Sequence, residues 1–214
     1  MGPHTNRERP ATSVSIIARL VCGPTVAWHC DPEAKTQRIY FGNHSSHLDF
    51  VVLWAALPQA ARRHVRPVAG RDYWEKSAIR RFASRNIFRA VLVDRGVAGN
   101  GNREAAARAA VDHMAREMGT DTSLIVFPEG TRNPDGDIRP FKSGLYHLAR
   151  ASGAELIPVY LHNLNRILPR GESLPVPMLS RVTFGSALRL GDEEGKDAFL
   201  ARARQALVSL QENS

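Results

Sequence analysis

The sequence contains very little cysteine. Cys22 and Cys30 are the only two in 214 residues, and they form no Cys-x-x-Cys pair or spread-out framework. Small secreted domains that depend on disulfides use many more cysteines, so this composition favours a reducing compartment. The sequence therefore predicts a cytoplasmic protein without structural disulfides.

Long apolar runs are also missing. The best candidate lies within residues 13–28, where Arg19 divides the apolar residues and Gly23 and Pro24 follow them. A helix that crosses a bilayer needs about 20 apolar residues, so this stretch is too short to span one. It also lacks a signal-peptide cleavage context. We interpret it as a helix that lies on the domain or on a membrane surface.

Acidic residues are fewer than basic ones. The chain has 29 Lys and Arg against 21 Asp and Glu, a formal net charge of +8. This excess indicates an anionic partner: a phosphorylated substrate, an acidic lipid or nucleic acid. The arginine pairs, such as Arg62-Arg63 and Arg80-Arg81, lack the interleaved aromatic residues of a single-strand binding platform. Phosphate or lipid is therefore favoured, and no nucleic acid is expected.

The length and composition are those of one globular domain. Hydrophobic residues make up 43 % and charged residues 23 %, with no internal repeat or shift in composition. Residues 1–12 are polar, include two prolines and are expected to be flexible. We assign residues 13–214 to a single domain.

Apolar residues alternate between strand-like and helix-like patterns along the chain. The predicted strands are residues 36–41, 65–69, 88–93, 123–127, 156–161 and 181–184. The predicted helices are residues 48–57, 73–83, 103–118, 142–151 and 193–211. In the second of these helices, Trp74, Ile79 and Phe82 are expected to face the core. The alternation predicts an α/β fold, with a central mixed sheet flanked by helices and the active site at the strand ends.

A polar cluster joins the strand 36–41 to the helix that follows it. His44 falls in the turn and Asp49 in the first helical turn, so the carboxylate can fold back onto the imidazole. A carboxylate on one ring nitrogen fixes the tautomer and stabilises the imidazolium. The other nitrogen is then free to take a proton from a hydroxyl, which is the minimum requirement for a general base.

Two other interpretations of this cluster stay open. Asn43 or Ser45 is a suitable helix N-cap, with Asp49 complementing the helix dipole. Alternatively, His44, His47 and Asp49 are all metal-ligand types, although no further Cys or His cluster is placed to complete the set.

A second cluster follows the strand 123–127, in the segment Glu129-Gly130-Thr131-Arg132. Arg132 offers a planar fork of donors suited to a phosphate, Gly130 allows close backbone approach, and Thr131 can donate a hydrogen bond. Glu129 can orient Arg132 or bind a substrate hydroxyl. The alternative is that Glu129 and Arg132 form a structural ion pair at a surface turn.

Taken in order, these segments resemble the motifs of the glycerophospholipid acyltransferase superfamily, and most closely its 1-acyl-glycerol-3-phosphate acyltransferase branch. The matching segments are Asn43-His44-x4-Asp49 with Ser46 inside it, Val93-Asp94-Arg95, Phe127-Pro128-Glu129-Gly130-Thr131-Arg132, Phe141-Lys142-Ser143-Gly144 and Ile157-Pro158-Val159. The sequence departs from the family pattern in the extra His47, in Asn133 where Ser is frequent, and in having no bilayer-spanning stretch before the domain.

The resemblance implies transfer of a fatty acyl group from acyl-CoA or acyl carrier protein to the free hydroxyl of a lysophospholipid, most simply 1-acyl-glycerol-3-phosphate. It implies no cofactor and no acyl-enzyme. His44 is then the general base and Asp49 its orienting group, and the oxyanion donors are expected among backbone N–H groups near Ser46. The implied substrate-binding residues are Arg132, Arg95, Glu129, Gly130, Thr131, Ser46 and Lys142.

Several rival functions share these motifs. The acceptor can instead be glycerol-3-phosphate, dihydroxyacetone phosphate or another lysolipid. A lipid hydrolase would use water as acceptor, but no Gly-x-Ser-x-Gly elbow is present. A lipid-binding protein without turnover is a non-enzymatic alternative, which the intact His44 and Asp49 do not favour.

A lipid substrate without a spanning segment predicts peripheral association with an anionic membrane. The segment Ile16 to Val21 and the loop from Ile167 to Leu179 are the expected docking elements. The alternative is that both merely cover the core.

Overall fold

The computed structural model describes residues 23–46, 48–94, 103–133, 135–164 and 180–213. A seven-stranded sheet is at its centre. The strands are β1 (Thr25–Trp28), β2 (Arg38–Gly42), β3 (Val65–Gly70), β4 (Val91–Val93), β5 (Ser123–Val126), β6 (Glu155–His162) and β7 (Arg181–Phe184). Their spatial order is β1-β7-β6-β2-β5-β3-β4. All neighbours are parallel except β6 and β7, which pair antiparallel, so the predicted mixed sheet is confirmed.

Helices cover both faces of the sheet. They are α1 (Asp49–Ala56), α2 (Gln59–Arg62), α3 (Arg71–Trp74), α4 (Ala78–Phe82), α5 (Arg103–Met118), α6 (Gly144–Ser152) and α7 (Lys196–Glu212). A π-helical turn, Ala83–Ile87, continues α4. Alternate residues of β2 enter different cores: Tyr40 packs with α1, whereas Ile39 and Phe41 pack with α5, α6 and α7. This period of two is that of a strand buried between two layers.

The central position of β2 determines where its polar continuation lies. β2 pairs in parallel with β5 on one side and β6 on the other, with Phe41 opposite Val126 and Gly42 opposite Val159. Parallel strands end at the same edge of a sheet, which we call the carboxyl edge. The segments after β2 and β5 therefore meet at this edge, as the sequence predicted. Gly42 suits the position because a Cβ there would lie 3.0 Å from the Val159 carbonyl oxygen.

One strand was not predicted, and one predicted helix is wrong. Residues 25–28, which follow the predicted surface helix, form β1, which pairs with β7 far along the chain. The single helix 73–83 is instead divided into α3 and α4. Trp74 is buried as predicted, but Ile79 and Phe82 are 81 % and 55 % exposed, so their predicted core positions are also wrong.

No helix in the described part of the chain combines the length and hydropathy needed to cross a lipid bilayer. The two expected docking elements, Ile16 to Val21 and Ile167 to Leu179, lie outside the described residues, as does the N-terminal segment 1–12.

Candidate active site

His44 and Asp49 meet at the carboxyl edge, in the turn between β2 and α1. His44 Nδ1 lies 2.8 Å from Asp49 Oδ2. The Asp49 carboxylate is fully buried, whereas the His44 side chain keeps 16 % of its surface exposed. Since the ionised carboxylate is an acceptor only, it assigns the Nδ1 proton to the imidazole. Nε2 is then the basic nitrogen of His44.

The buried carboxylate also organises the turn itself. Asp49 Oδ2 accepts hydrogen bonds from the backbone N–H groups of Ser45 at 2.6 Å and Ser46 at 2.8 Å. Three donors thus converge on one oxygen, so this buried oxygen is fully satisfied by hydrogen bonds. The two N–H groups are directed at Asp49, so the expected oxyanion role for backbone N–H groups near Ser46 does not match this geometry.

The helix-cap alternative is wrong. The N-cap of α1 is Leu48, and no side chain caps the helix. Asn43 instead joins two strands: its Nδ2 donates to the Leu161 carbonyl at 3.0 Å, and Leu161 N–H donates to its Oδ1 at 2.8 Å. This pair of hydrogen bonds holds the start of the turn against β6.

A stacked ring supports the imidazole. The rings of His44 and Phe127 have centroids 4.4 Å apart and planes inclined by 18°. Phe127 directly follows β5, so the neighbouring strand contributes a flat wall against His44. The sequence prediction placed Phe127 only at the end of a strand and missed this contact, because ring stacking between segments so far apart leaves no local signal.

Glu129 ties the second cluster to the first. Its Oε1 accepts from His44 N–H at 2.9 Å, and its Oε2 accepts from Arg139 N–H at 3.4 Å. Asn133 N–H donates in turn to the His44 carbonyl at 2.7 Å. Burial raises the pKa of the Glu129 carboxyl, and the two backbone donors oppose this rise only in part. Within the described residues no ion pair joins Glu129 to Arg132, so the ion-pair alternative is not observed.

A cavity of about 860 Å³ opens in front of His44. Its polar lining consists of the His44 imidazole and the following residues: Ser45, Asp72, Lys76, Asp94, Thr131, Arg132, Lys142 and Ser143. The rest is largely apolar, with wall residues from β3, α3, α5 and α6. These include Val68, Trp74, Val111, Met114, Leu145 and Leu148. The size and the mixture of an apolar wall with a few convergent polar groups are typical of a small-molecule site.

Residues of the second cluster contribute to the wall of this cavity. Gly130, Thr131, Arg132 and Lys142 all line it. Gly130 has φ +75°, a conformation that favours glycine, and a Cβ there would lie 3.4 Å from Lys142 Cγ. Lys142 is held by its backbone N–H, which donates to the Pro128 carbonyl at 2.8 Å.

Two predicted substrate-binding residues lie behind the wall. Ser46 and Glu129 are both buried, and neither lines the cavity. The Ser46 hydroxyl accepts from Leu48 N–H at 3.3 Å. Their geometry is that of positioning residues, because their contacts hold the His44 turn in place. A direct contact of either with substrate is therefore not supported by the structure.

Of the remaining residues in the predicted motifs, the structure describes Asp94 but not Arg95 or His47. Asp94, at the end of β4, accepts from Arg71 Nε at 3.0 Å and so fixes α3 to the sheet edge. Arg95, the alternative phosphate ligand, lies outside the described residues. His47, the third possible metal ligand with His44 and Asp49, also lies outside the described residues. The described residues contain no group of three or more His, Cys, Asp or Glu placed to hold a metal ion.

Comparison with known proteins gives a consistent set of similarities. A protein-family model described as Acyltransferase matches residues 27–162. A 1-acyl-sn-glycerol-3-phosphate acyltransferase of Limnanthes alba is 32 % identical over 152 residues, which cover 67 % of this chain and 48 % of that protein. The protein of the same name from Haemophilus influenzae is 30 % identical over 149 residues, covering 64 % of this chain and 55 % of its own length. The chain thus matches about half the length of these relatives.

A solved structure shares the fold. The crystal structure of the 1-acyl-sn-glycerophosphate acyltransferase PlsC from Thermotoga maritima superposes with a TM-score of 0.69. The match covers 97 % of this chain and 81 % of that one, at 17 % sequence identity. At this identity the likeness establishes the fold.

Proposed function

The chain belongs to the acyltransferase family, and from this premise we propose that it transfers a fatty acyl group from a thioester to the free hydroxyl of 1-acyl-glycerol-3-phosphate. The observation that carries the proposal is the His44–Asp49 pair on the wall of a cavity that also presents Arg132 and Lys142. The donor is acyl-CoA or acyl carrier protein, in phospholipid biosynthesis.

The His44–Asp49 pair supports direct transfer of the acyl group from donor to acceptor. His44 Nε2 takes the acceptor hydroxyl proton as that oxygen attacks the thioester carbonyl carbon, and a tetrahedral oxyanion forms. The C–S bond then breaks and the new C–O ester bond remains. The imidazolium returns its proton to the departing thiolate. Asp49 stabilises the imidazolium through Nδ1–H, so neither an acyl-enzyme nor a cofactor is needed for proton balance.

The cavity wall supports recognition of an amphiphile. Arg132 and Lys142 line the same cavity as His44 and are cations suited to the phosphate of the acceptor. We assign Arg132 as the main phosphate ligand, with Gly130 and Thr131 beside it. Apolar residues of α5 and α6 form the remainder of the wall and suit an acyl chain.

An acceptor panel tests the proposal. Radiolabelled acyl-CoA and acyl carrier protein are each combined with 1-acyl-glycerol-3-phosphate, glycerol-3-phosphate, dihydroxyacetone phosphate, another lysolipid or no acceptor. We expect labelled phosphatidic acid in the first case. Release of free fatty acid regardless of acceptor would identify a hydrolase. Stoichiometric binding of the lipid with no product in a single turnover would identify a lipid-binding protein.

Glu129 is assigned as a positioning residue that acts through His44. In Glu129→Gln, the amide nitrogen faces one of the two backbone donors, His44 N–H or Arg139 N–H, and leaves it unsatisfied. An unsatisfied buried donor costs about 1–3 kcal/mol, so we expect the free energy of unfolding to fall by that amount. We also expect kcat to fall while the acceptor KM changes little. Urea unfolding and steady-state kinetics measure both effects.

Glu193→Gln is the matched control, since Glu193 is an exposed glutamate before α7. It should match the wild type in both measurements. A Glu129→Gln variant with unchanged kcat and a raised acceptor KM would show instead that Glu129 contacts the substrate.

We also infer that the protein works at an anionic membrane surface as a peripheral protein. The acceptor is a lipid, and the net charge of +8 favours acidic headgroups. Exposed charges are screened by salt, so binding to anionic vesicles should weaken as ionic strength rises.

A further inference from the structure

The described surface carries one helix with two large apolar side chains in solvent. Ile79 and Phe82 lie on α4 and are 81 % and 55 % exposed, and the only other exposed large apolar residue in the described chain is Val26 at 38 %. Exposed apolar side chains that cluster, rather than occur singly, indicate an interaction surface.

Helix geometry directs both side chains outwards. Residues three apart lie on the same face of a helix, so Ile79 and Phe82 are neighbours. Ser84, in the π-helical turn that follows the helix, is buried, and its hydroxyl donates to the Arg81 carbonyl at 3.0 Å. Ser77 caps the helix by accepting from Arg80 N–H at 3.3 Å. The apolar pair therefore projects from a helix that is capped by Ser77 and continued by a turn buried at Ser84.

Cations predominate in the sequence around this pair. Residues 76–93 contain Lys76, Arg80, Arg81, Arg85 and Arg89 and no acidic residue. Lys76, Arg81 and Arg85 are exposed. An apolar pair with a rim of cations is complementary to an anionic lipid surface, where acyl chains receive the apolar side chains and headgroups meet the cations.

The helix is also coupled to the active site. Trp74 and Lys76, which precede α4, both line the cavity. Phe88, which follows the π-helical turn, packs edge-on against Phe50 at 5.0 Å and Trp54 at 5.4 Å, measured between ring centroids. Both partners belong to α1, the helix that begins with Asp49. The segment is thus held between the cavity rim and the catalytic turn.

We propose that Ile79 and Phe82 insert into the surface of an anionic bilayer, with Lys76, Arg81 and Arg85 at the headgroups, so that the cavity rim meets the membrane. This docking surface rests on the proposed use of a lipid acceptor. It gives that acceptor a short path from the bilayer to His44.

Vesicle flotation tests the docking surface without reference to activity. The vesicles are phosphatidylcholine alone or an equal mixture of phosphatidylcholine and phosphatidylglycerol. We expect the wild type to float with the mixed vesicles and poorly with the neutral ones. The double variant Ile79→Ser/Phe82→Ser should lose roughly tenfold in partitioning, since each side chain gives up apolar contact. Arg81→Gln/Arg85→Gln should lose roughly 30-fold, since each basic residue near an anionic surface strengthens binding.

Val26→Ser is the control for removing an exposed apolar side chain elsewhere, and it should float as the wild type does. The proposal is overturned if Ile79→Ser/Phe82→Ser floats undiminished, or if the wild type floats with neither vesicle. It is also overturned if light scattering shows a wild-type dimer that this variant dissociates, because the helix would then be a subunit interface.

An acyl-transfer assay with a short-chain, monomeric lysolipid separates this inference from the proposed function. Both double variants should keep the wild-type rate there and lose rate only on vesicle-bound acceptor. A wild type that is inactive on every acceptor would reject the acyltransfer proposal, while the flotation result would still decide the docking surface.

Discussion

His44→Ala is expected to lower kcat for acyl transfer by roughly 10²- to 10⁴-fold, the usual contribution of a positioned general base. The loss should appear in kcat rather than KM, because the proton is transferred only as the hydroxyl attacks. Removing the ring also leaves the buried Asp49 carboxylate with its two backbone donors, Ser45 N–H and Ser46 N–H. The turn should therefore persist, and the circular dichroism spectrum should be native.

Asp49→Asn isolates the charge of the dyad. An asparagine whose Oδ1 occupies the position of Asp49 Oδ2 can accept all three hydrogen bonds, so the turn and the tautomer of His44 are retained. What is lost is the negative charge that stabilises the imidazolium. We expect kcat to fall, and the His44→Ala/Asp49→Asn double variant to be no slower than His44→Ala alone, because Asp49 acts through His44.

His64→Ala provides the matched control. His64 is exposed and precedes β3, so it lies at the opposite edge of the sheet from the site. It should keep wild-type kinetics. Near-normal turnover in a folded His44→Ala variant would reject the base assignment. Loss of wild-type activity in a chelator, restored by zinc, would favour the metal alternative instead.

Local patterns predicted the buried elements well. Residues 103–118 and 181–184 have the predicted bounds, since one has strong helical composition and the other is a short apolar strand. β1 was missed because its assignment depends on pairing with β7, about 150 residues away. The break between α3 and α4 was missed because a helical apolar pattern in the sequence does not state which face meets the core.

In the active site, too, local contacts were predicted from the sequence and contacts between distant segments were not. The sequence alone predicted the contact between His44 and Asp49, because the two residues lie within six residues of each other in the turn after β2. The hydrogen bonds between Glu129 and His44 and between Asn43 and Leu161 span 85 and 118 residues, and only the folded sheet brings these groups together. From its residue type alone, Glu129 was therefore predicted to contact the substrate. Its burial instead indicates a positioning role.

Arg132→Ala is expected to raise the apparent KM for the phosphorylated acceptor by roughly 10- to 150-fold, because a hydrogen bond to a charged group contributes about 1.5–3 kcal/mol. Arg132 lines the cavity with His44, and no ion pair in the described part of the chain engages its guanidinium. The donor KM should change far less.

Three comparisons make this prediction specific to phosphate. Arg132→Lys keeps the charge but loses the planar fork, so it should recover only part of the affinity. An uncharged monoacylglycerol acceptor should show no difference between wild type and Arg132→Ala, since it has no phosphate to lose. Arg116→Ala, on the last turn of α5 at the far end of the sheet, should behave as the wild type. An unchanged KM for the phosphorylated acceptor in Arg132→Ala would move the phosphate site to Lys142 or Arg95.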